Sequence, residues 1–295
     1  MNKKKCISFF KKNIHGYLFL LPQLIIFTTF FIIPVVRGLY LSFFDFSVRH
    51  STFVGLRNFA RVLDDRLFWI ALQNTTIYTL IVVPGGLFFS IILAALIFRL
   101  PLRVQTFYKA AFYLPGVVSA VVVALAWQYI LDVNVGLLNH LLEFLGFQRV
   151  PFLSHVDTAL PTVAGMAIIA GQGASIVILL ANMSAIPSDL YESAAIDGAN
   201  RIQQFRHVTV PLLKPTILYL LILGTIGSYQ VFDSIFVLTR GGPAHATLTV
   251  SYLIYANAFN FFEFGSASAI ATLLFLIIFT LSMIQFFWFG RKGDD

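Results

Sequence analysis

Six stretches of this 295-residue sequence are apolar for long enough to cross a lipid bilayer, near Tyr17–Val36, Ile77–Phe98, Ala110–Leu131, Ala159–Ala181, Pro215–Leu238 and Ser266–Phe289. A helix rises about 1.5 Å per residue and a bilayer core is about 30 Å thick, so about 20 apolar residues make one crossing. The predicted fold is therefore all-α: a polytopic membrane protein with six transmembrane helices over 17–290, an N-terminal tail at 1–16 and a C-terminal tail at 291–295. Only 11% of the residues are charged, against about 25% in ordinary soluble domains, which argues against a water-soluble globule. The first stretch is too long for a signal-peptide core and has no small-residue cleavage site behind it, so it is expected to stay as an uncleaved helix.

The formal charge of +7 has to be read by location before it is read as a preference for nucleic acid. Thirteen of the twenty Lys and Arg residues fall on one side: Lys3, Lys4, Lys5, Lys11 and Lys12 in the tail, Arg99, Arg103 and Lys109 after the second stretch, Arg201, Arg206 and Lys214 after the fourth, and Arg291 and Lys292 at the end. Arg37, Arg49, Arg57, Arg61, Arg66, Arg149 and Arg240 fall on the other. Basic residues favour the cytoplasmic side, so both termini are expected there. Pro22, Pro34, Pro84, Gly85, Gly86, Pro115 and Gly116 interrupt or abut the apolar runs, and such residues are tolerated where neighbouring helices, side chains or water satisfy the freed carbonyls.

Several chemistries lack their signatures. No Gly-Lys dipeptide occurs, so a phosphate-cradling nucleotide loop is not expected. His15, His50, His140, His155, His207 and His245 lack the one-turn spacing of paired metal ligands, and no Gly-x-Ser-x-Gly elbow occurs. Cys6 is alone and cannot form an internal disulfide. No catalytic residue, metal or cofactor is expected.

The most informative segment lies in the loop 182–214. Pro187 and Ser188 suit a helix start, with Ser188 as N-cap and Asp189 and Glu192 in a first turn where the helix dipole favours negative charge. Leu190, Ala194, Ala195, Gly198 and Ala199 then share one sector, four of the five very small. A thin face admits another backbone closely, and Glu192 and Asp197 can flank the contact with hydrogen-bonding groups. A helix lying on the membrane would carry larger apolar and more basic residues.

This segment resembles the EAA loop of permease subunits from binding-protein-dependent ABC importers, through Glu192, Ala194, Ala195, Asp197, Gly198, Ala199 and Pro211; Ser193 stands where that pattern has its first Ala. Phe53-Val-Gly-Leu-Arg-Asn-Phe59 and Leu238-Thr-Arg-Gly-Gly-Pro-Ala-His-Ala-Thr247 are similar to the carbohydrate branch of that family, the maltose and glycerol-phosphate group. The resemblance implies one permease half of an ATP-driven importer, partnered by a second permease subunit, two cytoplasmic ATPase subunits and an extracytoplasmic solute-binding protein, with a sugar or related solute as cargo. The helix from Ser188 to Ala199 would couple the ATPase stroke to the spans, with Glu192 and Asp197 anchoring it and Gly198 allowing close approach.

The substrate route leaves fainter marks. Thr225, Tyr229 and Asp233 recur every four residues beside Ser228, a polar stripe in an apolar helix, although a straight helix from Pro215 would carry Asp233 about 27 Å up, near the outer surface. Gln172 sits near the centre of the fourth stretch, with Ser175 on the same face. Such residues either meet a polar solute or bridge helices. Two rival functions stay open: an ion-gradient carrier, for which Asp233 is the one ionisable candidate within the spans, and a non-transporting assembly subunit.

Overall fold

A computed structural model describes residues 14–46 and 51–290; the basic residues of both tails, together with Cys6, Arg49 and His50, lie outside the described residues. The chain divides into two compact units, Met1–Asp64 with Asn257–Thr272, and Asp65–Ala256 with Leu273–Asp295.

In the first unit, α1 (Ile14–Phe27) runs through a π turn (Thr28–Ile32) into α2 (Ile33–Leu41). Pro34 falls in the first turn of α2, where its missing N–H costs least. The apolar run Leu18–Leu41 buries none of its side chains. A short antiparallel hairpin follows, β1 (Phe44–Phe46) on β2 (Ser51–Phe53), with Asp45 opposite Thr52, and then α3 (Arg57–Asp64). The Phe53–Phe59 stretch is a clasp. Gly55 turns the chain at φ +57°, and the buried Asn58 amide donates to the carbonyls of Ser42 (2.9 Å) and Phe44 (2.8 Å).

The second unit is built on α4 (Arg66–Phe98), capped by Asp65, whose carboxylate accepts from the Leu67 amide at 2.9 Å. Its 33 residues measure about 50 Å, longer than a bilayer core, so the helix begins well before its apolar stretch. Ala71, Thr75, Tyr78, Thr79, Val83, Gly86, Ser90, Ala94 and Ile97 are buried at helical steps, whereas Leu80, Phe88 and Leu96 are exposed. Small and hydroxylic residues make up most of the packed stripe, with Phe68, Tyr78, Val83 and Ile97 as its larger members, as expected where close backbone approach drives packing.

Around α4 pack α8 (Val156–Ala170), α9 (Gly173–Ser184) and α13 (Lys214–Tyr229); α5 (Leu102–Val117) lies on α9, and α6 (Ala120–Ile130) on α14 (Asp233–Leu238). Gly173 permits the α9–α5 contact, since a Cβ there would strike the backbone of Phe112 and Tyr113. The connections are α7 (Leu137–Phe144) before α8, the 182–214 loop, and α15 (Val250–Tyr255) before the last helix, α16 (Phe264–Gly290).

Four helices are long and apolar enough to span a membrane, and two bent pairs bring the number to as many as six. The third and fourth stretches differ from the straight spans expected of them. The third bends by 97° between α5 and α6 just after Pro115 and Gly116, and the fourth by 42° between α8 and α9 at Gly171 and Gln172. Proline and paired small residues remove the bonds and bulk that keep a helix straight.

Candidate functional site

The 182–214 loop folds as a helical hairpin. Pro187, extended at ψ 134°, precedes α10 (Ser188–Ile196), so Ser188 is the first helical residue and not the N-cap expected; its hydroxyl reaches Asp189 instead, at 3.4 Å. The helix also stops earlier than Ala199. Gly198 adopts φ +82°, its N–H bonds the carbonyl of Ala195 (3.0 Å), and the Ala199 N–H bonds that of Ala194 (2.9 Å). This pair of bonds is a Schellman turn with Gly198 in the left-handed position, which costs an L-residue about 1–2 kcal/mol. Gly198 therefore ends the helix and aims the chain. A Cβ on it would meet nothing within 4 Å.

Asn200 restarts the chain. Its side chain accepts from the amides of Ile202 (3.0 Å) and Gln203 (2.9 Å), while Gln203 accepts from the Asn200 amide (2.7 Å), a capping box that opens α11 (Arg201–Gln204). A π turn (Phe205–Thr209) leads to α12 (Val210–Leu212), which contains Pro211. The hydroxyls of Tyr191 and Thr209, 2.9 Å apart, join the two arms. Asp-Gly-Ala-Asn thus encodes a stop and a restart, with the amides of Gly198, Ala199, Asn200, Ile202 and Gln203 bonded locally.

Glu192, Ala195 and Asp197 are exposed, while Ala194 and Ala199 are half-buried. Sequence reasoning passed over Ile196 and Ile202, which are 88% and 76% exposed on either side of the turn. Ile196 lies one helical turn beyond Glu192, on the same open face. The available signal was a large β-branched residue beside Asp-Gly in an otherwise polar loop.

A cavity of about 470 Å³ opens in the helix bundle, lined among others by Tyr78, Gly171, Gln172, Ser228, Asp233 and Ser234. A second space of about 270 Å³ adjoins it, and Val82, Gln172, Gly224 and Ser228 line both. Apolar clusters flank them: one contains Tyr78, Leu160, Met166 and Ile235, the other Ile97, Ile176, Leu180 and Leu220. Gln172 owes its place to the α8–α9 break, which frees its side chain to cross towards α4. There it accepts from the Ser90 hydroxyl at 3.1 Å and lies so close to Gly86 that a Cβ would collide with it. Ser175 lines only the smaller space.

The polar stripe expected in the fifth span divides. Thr225 is buried, donates to the Leu221 carbonyl (2.8 Å) and accepts from the Gln285 amide (2.8 Å); Tyr229 is 4% exposed and its hydroxyl meets that of Thr76 at 3.1 Å. Both hold helices together and neither lines the cavity. Asp233 does, because α13 ends at Tyr229 and the chain turns through Gln230–Phe232 before α14 begins. The break also takes Asp233 off the face it would share with Thr225 and Tyr229 in a straight helix. Tyr78 and Phe232, not Tyr229, are the aromatic residues that line the cavity, and Phe232 stacks with Phe236 at 5.3 Å.

The Gly-Gly-Pro turn is held from α4. The Asn74 amide donates to the carbonyls of His245 (2.8 Å) and Leu248 (3.0 Å), while Arg240, Gly241, Ala244 and His245 all have positive φ. Beyond the spans, Arg149 forks onto Glu143 at 2.6 and 3.1 Å and holds that carboxyl below its ordinary range, and the amides of Val135 and Asn134 do the same for Asp132. No group of three potential metal-ligating side chains occurs among the described residues.

Residues 86–292 match the family described as binding-protein-dependent transport system inner membrane component. The probable ABC transporter permease protein YurN of Bacillus subtilis is 35% identical, over 97% of this chain and 99% of its own length. The trehalose/maltose transport system permease protein MalF of Thermococcus litoralis is 34% identical, over 91% of each. A bacterial ABC transporter solved for its part in importing the acidic polysaccharide alginate superposes with a TM-score of 0.87 at 25% identity, covering 97% of this chain and 99% of that one. The broken spans, the helical hairpin after α9 and these matches together make the chain a member of the binding-protein-dependent inner membrane component family, the permease subunits of ABC importers.

Proposed function

We propose that this chain forms half of the translocation pathway of an ATP-driven importer for a sugar or related polar solute. A second, different permease subunit supplies the other half, two ATPase subunits work on the cytoplasmic side, and an extracytoplasmic binding protein delivers the cargo. The observation that carries this reading is the hairpin tip, a rigid Schellman turn and capping box presenting Glu192, Ile196, Asp197 and Ile202 with no partner side chain around the two isoleucines. A lever must be stiff to transmit force and uncovered to receive it. Glu192 and Asp197 anchor the docked subunit, Ala194 and Ala195 admit it closely, and Gly198 and Ala199 fix the angle of the hairpin.

On the pathway side, Gln172 and Asp233 offer polar groups to cargo hydroxyls, and Phe232 offers a ring face to a sugar's apolar face. Thr225 and Tyr229 set the helix spacing behind them. The names of the relatives support a saccharide as cargo, and the basic-residue bias supports a cytoplasmic hairpin with both termini on its side. The test is co-reconstitution with the partner subunits and binding protein in liposomes. Hydrolysis of ATP stimulated by cargo-loaded binding protein is expected, and its loss in the double variant Ile196→Asp/Ile202→Asp; stimulation that persists in that variant contradicts the hairpin's role.

A further inference from the structure

At the root of the hairpin lies a third cavity, of about 360 Å³, whose walls come from α4, from Met183 of α9 and from the hairpin, with Ala95, Met183 and Phe205 as its apolar part. Phe98 and Arg99 belong to the end of α4, and Tyr191, Arg201, Gln204 and Thr209 belong to the hairpin. No carboxylate lines it, and the side chains of Arg99 and Arg201 form no ion pair among the described residues. Arg99 follows the last turn of α4, where a cation suits the helix dipole, but that does not account for a second guanidinium on the facing wall. Tyr191, Gln204 and Thr209 line the same cavity, the hydroxyls of Tyr191 and Thr209 bonded to each other and the Gln204 amide to the Ala199 carbonyl, and planar guanidinium forks match phosphate oxygens.

We propose that this cavity binds a phosphate group, gripped by Arg99 from the bundle and Arg201 from the hairpin, and offered either by a phospholipid headgroup or by a soluble phosphorylated metabolite. The chemistry is the same for both sources. The cavity opens at the mouth, where both arginines are exposed, and lies on the side that the proposed orientation makes cytoplasmic. The binding itself is independent of that reading.

The full-length chain in phosphatidylcholine nanodiscs is titrated with glucose 6-phosphate, with glucose as the uncharged control. In a second arm, native mass spectrometry compares retained phosphatidylglycerol with retained phosphatidylcholine. Saturable binding in one arm is expected, identifying the source. It should be about tenfold weaker in Arg99→Gln/Arg201→Gln and unchanged in Arg103→Gln/Arg206→Gln, which removes the same charge outside the cavity. Arg99→Lys/Arg201→Lys, retaining the charge, should bind at an intermediate level and guards against misfolding. No binding in either arm, or equal weakening by both glutamine pairs, overturns the site.

Discussion

The hairpin and the cavity lie in the same unit of the fold, yet they are specified in opposite ways. The hairpin is written in contiguous residues: Ser188 to Gln203 contain the first helix, its stop at Gly198 and the capping box that restarts it, each made within a few positions. The cavity is assembled from α4, α5, α6, α8, α9, α13 and α14, and its polar residues acquire their roles only where helices break, at Gly171–Gln172 and at Gln230–Phe232. A surface that meets a partner can be encoded locally. A surface that encloses a solute depends on how distant segments pack.

That difference can be broken or sharpened experimentally. The largest effect is expected at Gly198: Gly198→Trp should abolish uptake with membrane level unchanged, because the left-handed turn is lost while no packing is disturbed. Gly198→Asn, a residue tolerated at φ > 0, should keep most of the uptake. Gly198→Ala, smaller than Asn but strained at φ > 0, should lose more uptake than Gly198→Asn; the reverse order would mean that size, not backbone conformation, matters there. Gly173→Ala should next lower membrane level and thermal stability by about 1–3 kcal/mol, since the added methyl meets the α5 backbone, which has no rotamer to yield.

The cavity and the packing behind it should then separate kinetically. Gln172→Ala and Asp233→Asn are expected to raise the KM of uptake several-fold with little change in thermal midpoint. Thr225→Val strands the Gln285 amide and should cost about 1 kcal/mol of stability with KM unchanged. The reverse pattern would return Thr225 to the pathway. The smallest effect is at the exposed Glu143–Arg149 pair. Glu143 has its pKa lowered in the folded state, so its contribution is present at neutral pH and fades as pH falls through the carboxylate range; Glu143→Gln should erase that slight acid sensitivity in a thermal melt.

The apolar stretches and the position of a helix opening near Pro187–Ser188 were legible, because each rests on local hydrophobicity or on turn-forming residues. Other features were not. The stripe through Thr225, Tyr229 and Asp233 presumed an unbroken helix, and nothing local announces that Gln230–Phe232 interrupts it. Gln172 was found through its polarity in an apolar run, while its setting depended on Gly86 lying across from it, 86 residues earlier in the chain. Uniform hydrophobicity also hid which face of α4 is packed, because small residues such as Ala71, Thr75, Ser90 and Ala94 share the inward face with larger apolar ones such as Val83 and Ile97. Gly198 was noticed for its size, whereas its backbone angle is what the turn requires.

The central claim is that solute movement is driven by nucleotide hydrolysis in a subunit seated on the hairpin. It is tested most directly by uptake into proteoliposomes holding the assembled transporter and loaded binding protein, with ionophores collapsing every ion gradient and ATP either enclosed or omitted. Uptake that persists with ATP under ionophores and ceases without it is the predicted result. Uptake that stops with the ionophores while ATP is present would contradict the account.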